Sequence, residues 1–148
     1  MSSTHLSLHV HIVFSTKHRF PFIVDDWRER LHAFIGGAIR TTGCVAESVG
    51  GTTDHVHLLI GIRATHCVAD VVRDIKHASS QWIHETIGVK KFGWQDGYGA
   101  FTIGASQISV VKDYISRQLE HHRKRTFQDE YLAFLERYRV QYDECFLW

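Results

Sequence analysis

The sequence predicts an α+β sandwich: an antiparallel sheet backed by two helices, with further helices after it. Apolar residues recur at period two in short stretches and at helical spacing in longer ones. The stretches follow one another in the order β-α-β-β-α-β, then two more helices. The 148 residues, 44% of them hydrophobic, suffice for one compact domain and not for two.

Leu6, Leu8, Val10, Ile12 and Phe14 alternate with His5, Ser7, His9 and His11, which reads as a strand with one buried face. Pro21 breaks the chain. Asp25 or Asp26 can cap a helix whose apolar stripe is Trp27, Leu31, Phe34, Ile35 and Ala38, and Gly43 suits its end. Val45, Glu47 and Val49 suggest a second strand, residues 50–53 a hairpin turn, and Val56, Leu58 and Ile60 a third strand. Thr65 can cap a second helix with Val68, Val71, Val72, Ile75, Trp82 and Ile83 on one side, ended by Gly88. Residues 90–99 are rich in Gly and aromatics and read as a loop, and residues 100–103 form a short fourth strand. Ser106 can cap a helix with Ile108, Val111, Ile115 and Leu119 along one side, Gly104 before it being a candidate hinge. A last helix carries Phe127, Tyr131, Phe134, Leu135 and Tyr138. This order suits a ferredoxin-like sandwich. Its first and third strands are central, and two helices cover one face. The other face is left for ligands or the extra helices. The core is expected over about residues 5–122 and a helical tail over about 126–148.

Composition narrows the function classes. No stretch is long and apolar enough to span a bilayer, and the N-terminus lacks a signal-like apolar run, so a cytoplasmic protein is expected. Cys44, Cys67 and Cys145 are odd in number and form no CxxC pair, which argues against a thiolate zinc site. Net charge is only +1, but Arg117, Arg123, Lys124 and Arg125 cluster around His121 and His122, and Lys17, His18 and Arg19 form a second basic group. Either group can contact phosphates or be an ordinary solvated surface. Twelve histidines are the feature that most needs explaining.

His55-Val56-His57 puts two imidazoles on one side of a strand with Val56 facing the core, so both can reach one metal ion. His9-Val10-His11 has the same spacing, and spacing alone does not choose between the pairs. Tyr114 and Gln118, four apart on a predicted helix, share a face about 100° from its apolar stripe. A divalent ion on two imidazoles and an amide oxygen keeps positions open for phosphate. A tyrosine supplies a covalent nucleophile, although only roughly a thousandth is phenolate at neutral pH. Together these groups point to phosphodiester chemistry.

Here the sequence resembles a known family. Gly51-Thr52-Thr53-Asp54-His55-Val56-His57-Leu58-Leu59-Ile60 resembles the His-hydrophobic-His (HUH) segment of the small single-tyrosine insertion-sequence transposases. Tyr114-Ile115-Ser116-Arg117-Gln118 resembles their nucleophile helix. His11-Ile12-Val13-Phe14-Ser15-Thr16-Lys17-His18-Arg19 resembles their first strand, and Ile75-Lys76-His77-Ala78-Ser79-Ser80 their second helix. The REP-associated tyrosine transposases share these motifs. Relaxases place the tyrosine before the histidines, and many rolling-circle initiators have a second tyrosine where Gln118 stands.

The resemblance implies a nuclease and strand transferase acting on single-stranded DNA near hairpins at element ends. It implies a 5′-phosphotyrosine intermediate on Tyr114, and Mg²⁺ or Mn²⁺ on His55, His57 and Gln118. It also implies a homodimer able to exchange the tyrosine helix between sites. It selects His55 and His57 over His9 and His11. His11, Asp54, Lys17, Arg19, Lys76 and Arg117 are the further candidates, either supporting a metal-bound histidine or contacting DNA. The aromatic tail is expected to serve packing or dimer contact. Two other readings stay open. One is a binding module, or a domesticated relative, gripping single strands with the sheet face and aromatics such as Trp94 and Tyr98. The other is a metal hydrolase using water, which has no need of Tyr114.

Overall fold

A computed structural model describes residues 3–144 and 147; Cys145 and Trp148 lie outside the described residues. Four antiparallel strands form one sheet in the order β2-β3-β1-β4. They are β1 (His9–Ser15), β2 (Val45–Gly51), β3 (His55–Gly61) and β4 (Gly99–Ile103). The first and third strands are central, as the order of elements predicts. The helices are α1 (Asp25–Thr41), α2 (Val68–Trp82), α3 (Ile108–Ser116), α4 (Gln118–His121) and α5 (Phe127–Arg137). No helix among the described residues is long and apolar enough to cross a membrane.

Alternation along the central strands divides the interior into two layers. Val10, Ile12, Phe14, Val56, Leu58 and Ile60 pack under α1 and α2 with Leu31, Ile35, Val72 and Ile75. On the second face, Val13 and Phe101 meet Phe127 and Leu135, while Leu59 and Ile103 meet Ile115. Burying each such side chain contributes about 1.5–3 kcal/mol. The second face is therefore closed by the later helices rather than left open. Trp94, offered as a stacking platform, is itself in the α1/α2 core, where its indole N–H donates to Ser79 Oγ at 2.9 Å.

Several local expectations change. β1 starts at His9 because its partners end there, with His9 opposite Gly61 and Ile103; Leu6 and Leu8 are left exposed. The hairpin turn is residues 52–54, and both glycines belong to β2. None of the predicted caps forms. Val24 precedes α1, Asp25 instead receiving a bond from Arg28 at 2.6 Å; Cys67 precedes α2; Ser106 sits in a short 3-10 turn (Ala105–Gln107). Gly43 and Gly88 do end their helices, both at positive φ. α2 first runs through a π-helical turn, Ile83–Ile87.

The largest departure is in the tyrosine helix. It breaks at Arg117 (φ −104°, ψ 19°), so Tyr114 lies in the last turn of α3 and Gln118 begins α4. Leu119, predicted on the buried stripe, is about half exposed as a result. α3 lies close on β2 because residue 50 is glycine: a Cβ there would stand 2.4 Å from the Ile115 carbonyl oxygen. Gly50→Ala should cost about 1–3 kcal/mol in urea unfolding through this clash with backbone. Gly104→Ala, at an ordinary φ of −74° with open space around it, should change stability by less than about 0.5 kcal/mol in the same measurement.

Candidate active site

β3 presents His55 and His57 to the second sheet face, where both are fully buried. Their register opposite Ser15 and Val13 of β1 brings His11 diagonally against His57, and His11 Nε2 lies 2.9 Å from His57 Nδ1. Asp54, at the end of the turn, accepts from His55 Nδ1 at 2.7 Å and from the Thr52 hydroxyl at 3.1 Å. A carboxylate only accepts, so the neutral His55 ring carries its proton on Nδ1 and turns the Nε2 lone pair inward.

That lone pair faces Gln118 Oε1 at 3.2 Å, the amide being oriented by its Nε2, which donates to the Tyr114 carbonyl at 3.3 Å. The break at Arg117 thus leaves Gln118 buried and aimed at His55. Tyr114 stands beside them, its ring centroid 5.7 Å from that of His57.

Two residues that sequence reasoning did not single out complete the cluster. Glu130 of α5 is buried, and its Oε2 accepts from the Tyr114 hydroxyl and from His122 Nε2, the latter at 3.0 Å. Its Oε1 stands 2.9 Å from His57 Nε2, but off the line a ring N–H would take, so neither atom has a hydrogen-bond partner. Ligand atoms of His55, His57, His122 and Glu130 all lie within 4.8 Å of one another. Orphaned, buried electron-pair donors converging on one point are what a divalent cation satisfies, so the residues present fit a metal ion. A signal for Glu130 existed: it falls at helical spacing between Phe127 and Phe134, on the apolar side of the tail helix.

The electrostatics follow from burial. Desolvation lowers His57 to about 4, His55 and His122 adding to the fall and Glu130 opposing it. Desolvation and His57 lower His11 to about 3. For Glu130, burial raises the carboxyl, but the bonds from His122 and Tyr114 and the close approach of His57 outweigh it and hold the group well below the carboxylate range. Burial and the Glu130 charge push the Tyr114 phenol far above its ordinary 10. Glu130 therefore holds Tyr114 as a hydrogen-bonded phenol.

The other candidates lie elsewhere. Lys76 is on the opposite face, where its ammonium donates to the Gln95 and Gly97 carbonyls at 2.8 and 2.7 Å and lies over the Phe14 ring. Burial lowers it to about 8. Lys17 and Arg19 form a 3-10 turn after β1. Arg117 is exposed and paired with Asp113 at 3.2 Å. His9 sits at the far end of β1 from His55, 3.8 Å from Glu47. Next to the cluster, a cavity of about 330 Å³ between β4, α3 and α5 is lined by Tyr114, His11, Gln107, Phe134, Arg137 and Tyr138, among others.

Residues 4–118 match the model of a family described as IS200-like transposase. The chain belongs to that family. Among solved structures, this transposase is similar to a Deinococcus radiodurans R1 protein assigned as a transposase, with 22% identity and a TM-score of 0.66 over 80% of this chain and 95% of the other. It is also similar to a REP-associated tyrosine transposase bound to a REP hairpin, with 16% identity and a TM-score of 0.60 over 82% and 74%. No curated protein matches significantly. The likenesses establish the shared fold; in this chain that fold brings His55, His57 and Tyr114 to one sheet face.

His11 and His57 are neutral in the folded transposase at pH values where, unfolded, they titrate near 6.5. The unfolded state then binds more protons, so stability of the metal-free protein should fall as pH drops from about 6.5 towards 4. Urea midpoints measured across that window will show the fall, and His11→Gln should flatten it.

Proposed function

We propose that this transposase cleaves and rejoins single-stranded DNA through Tyr114, with His55, His57 and Gln118 holding Mg²⁺ or Mn²⁺. The observation that carries the reading is Gln118 Oε1 of α4 standing 3.2 Å from His55 Nε2 of β3, with Tyr114 of α3 packed beside His57, the rings 5.7 Å apart. When bound, the ion supplies Lewis-acid stabilisation of charge building on a phosphate oxygen.

The chain's own residues do the rest. Asp54 and Thr52 fix the His55 ring, and His11 accepts from or donates to His57 Nδ1, which sets that ring's direction. Tyr114 Oη attacks the scissile phosphorus and the bond from phosphorus to the 3′-oxygen breaks. The phenol proton leaves Tyr114, and the departing 3′-oxygen is protonated. The product is a 5′-phosphotyrosine and a free 3′-hydroxyl. Because the ester conserves the broken bond's energy, attack by a 3′-hydroxyl reseals DNA without ATP.

The similar REP-associated enzyme, solved with a hairpin, supports element ends bearing hairpins as the substrate. Exposed Arg123, beside His122 and Thr126 at the rim, is suited to phosphate contact. On the family resemblance we take the functional unit to be a homodimer. Tyr114 already stands beside His57 of its own chain, so exchange of the tyrosine helix is not required to assemble a site. The non-catalytic binding module fits less well. Its proposed platform, Trp94, is buried, and later helices cover the sheet.

With Mg²⁺ or Mn²⁺ and a labelled single strand, a denaturant-resistant protein–DNA adduct is expected, and Tyr114→Phe should abolish it. Cleavage without adduct would mean a water nucleophile; binding alone would mean a module. His57→Ala should slow adduct formation by about a hundredfold or more. His11→Ala should slow it by about 10- to 100-fold while DNA affinity is kept.

A further inference from the structure

We infer that the cavity between β4, α3 and α5 is a seat for one nucleotide, taking the base and sugar of the nucleotide whose 5′-phosphate Tyr114 accepts. The inference rests on the reading that Tyr114 attacks DNA. It adds which side of the cut the protein grips and the residues that grip it.

Position is the first argument. The Tyr114 side chain forms part of the cavity wall, so the space adjoins the nucleophile. At about 330 Å³ it stands at the small end of ligand sites, which suits one base with its sugar and excludes a duplex.

Lining chemistry is the second. Phe134 and Tyr138 bring aromatic rings from α5, and Val110 brings an apolar wall from α3. Such surfaces hold a base by its face, whatever the base. Val110 is 59% exposed, an apolar surface that a seated base would cover. Thr102 and Gln107 add hydrogen-bonding side chains able to meet a base edge. Arg137 is exposed, its guanidinium over the Tyr138 ring at 6.0 Å, and offers a cation to the next phosphate along the strand.

The order of bond making is the third. Once Tyr114 Oη is bonded to phosphorus, the nucleotide on the 3′ side of the cut is tethered to the protein. The strand ending in the new 3′-hydroxyl must leave before another 3′-hydroxyl can attack. A seat in contact with Tyr114 therefore serves the tethered nucleotide, the one partner common to cleavage and rejoining, and holds its phosphorus in place between the two. Phe134, Arg137 and Tyr138 lie beyond the residues 4–118 that match the family, so the tail of this chain supplies much of the grip.

The test uses the full chain with Mn²⁺ and a labelled single strand bearing a hairpin, the cut bond being mapped from the adduct. An abasic site on the 3′ side of that bond should slow adduct formation about tenfold or more, and one on the 5′ side should not. In Tyr138→Leu and Gln107→Ala the penalty for the missing base should shrink, a loss of coupling that a merely damaged fold does not produce. Gln107 is exposed, so its variant keeps the test available where Tyr138→Leu fails to fold. 2-Aminopurine at the 3′-side position should lose fluorescence on binding Tyr114→Phe, which holds the strand without cutting it. Full-rate adduct formation on the 3′-abasic strand, or a penalty as large in both variants as in wild type, overturns the inference. No adduct on the intact strand sinks the cleavage reading instead. The cavity is then judged by 2-aminopurine deoxyriboside 5′-monophosphate: quenching by wild type and not by Gln107→Ala or Tyr138→Leu upholds the seat, and no quenching overturns it.

Discussion

Both faces of the sheet are covered, and this constraint governs the rest of the molecule. On β3 one row of side chains, Val56, Leu58 and Ile60, enters an apolar core. The other row, His55, His57 and Leu59, is equally hidden beneath the later helices. Imidazoles in such a place have two ring nitrogens each to accommodate away from water. His55 engages Asp54 and Thr52 through Nδ1 and turns Nε2 toward Gln118 Oε1; His57 uses His11 on one side and turns its other nitrogen toward Glu130. The polar cluster exists because a covered sheet face cannot hold unaccompanied histidines.

Glu130 is the hub of that cluster. It draws on β3 through His57, on α3 through Tyr114, and on the α4–α5 connection through His122. Around it the tail helix packs apolar groups: Phe127 stacks on His55 at 4.6 Å, and Phe134 meets His11 edge-on at 5.3 Å. The tail is thus packing in its aromatic residues and polar recognition in its one buried acid.

The sheet order, the two backing helices and the histidine row were legible because they follow from period-two and helical spacing, which are local. Gly43 and Gly88 were legible as helix ends because their positive φ has few other solutions. The caps were not: Asp25 found Arg28, and the chain entered α1 and α2 without a side-chain bond at the cap. His55, His57, Tyr114 and Gln118 were named as a site with the help of a family resemblance, since His9 and His11 share the same spacing. What separates the pairs physically is position along the sheet. His55 and His57 lie where the later helices converge, whereas His9 lies near Glu47 at the other end of β1. Glu130 and His122 went unread as partners because their contacts span some 65–75 residues of chain, and no local period encodes them. Lys76 shows the reverse case, a conspicuous cation whose work is to hold the 95–97 loop carbonyls.

The break at Arg117 gives the nucleophile and the amide ligand separate carriers. On a continuous helix, Tyr114 and Gln118 would turn as one rigid body, and neither side chain could be repositioned without moving the other. With a non-helical residue between them, each is steered by its own surroundings: Tyr114 by the packing of α3 on β2, Gln118 by the short α4 against His55. The spacing of four that marks this pair in the sequence therefore describes two linked levers with one joint between them, and the alignment of phenol and amide is a property of tertiary packing.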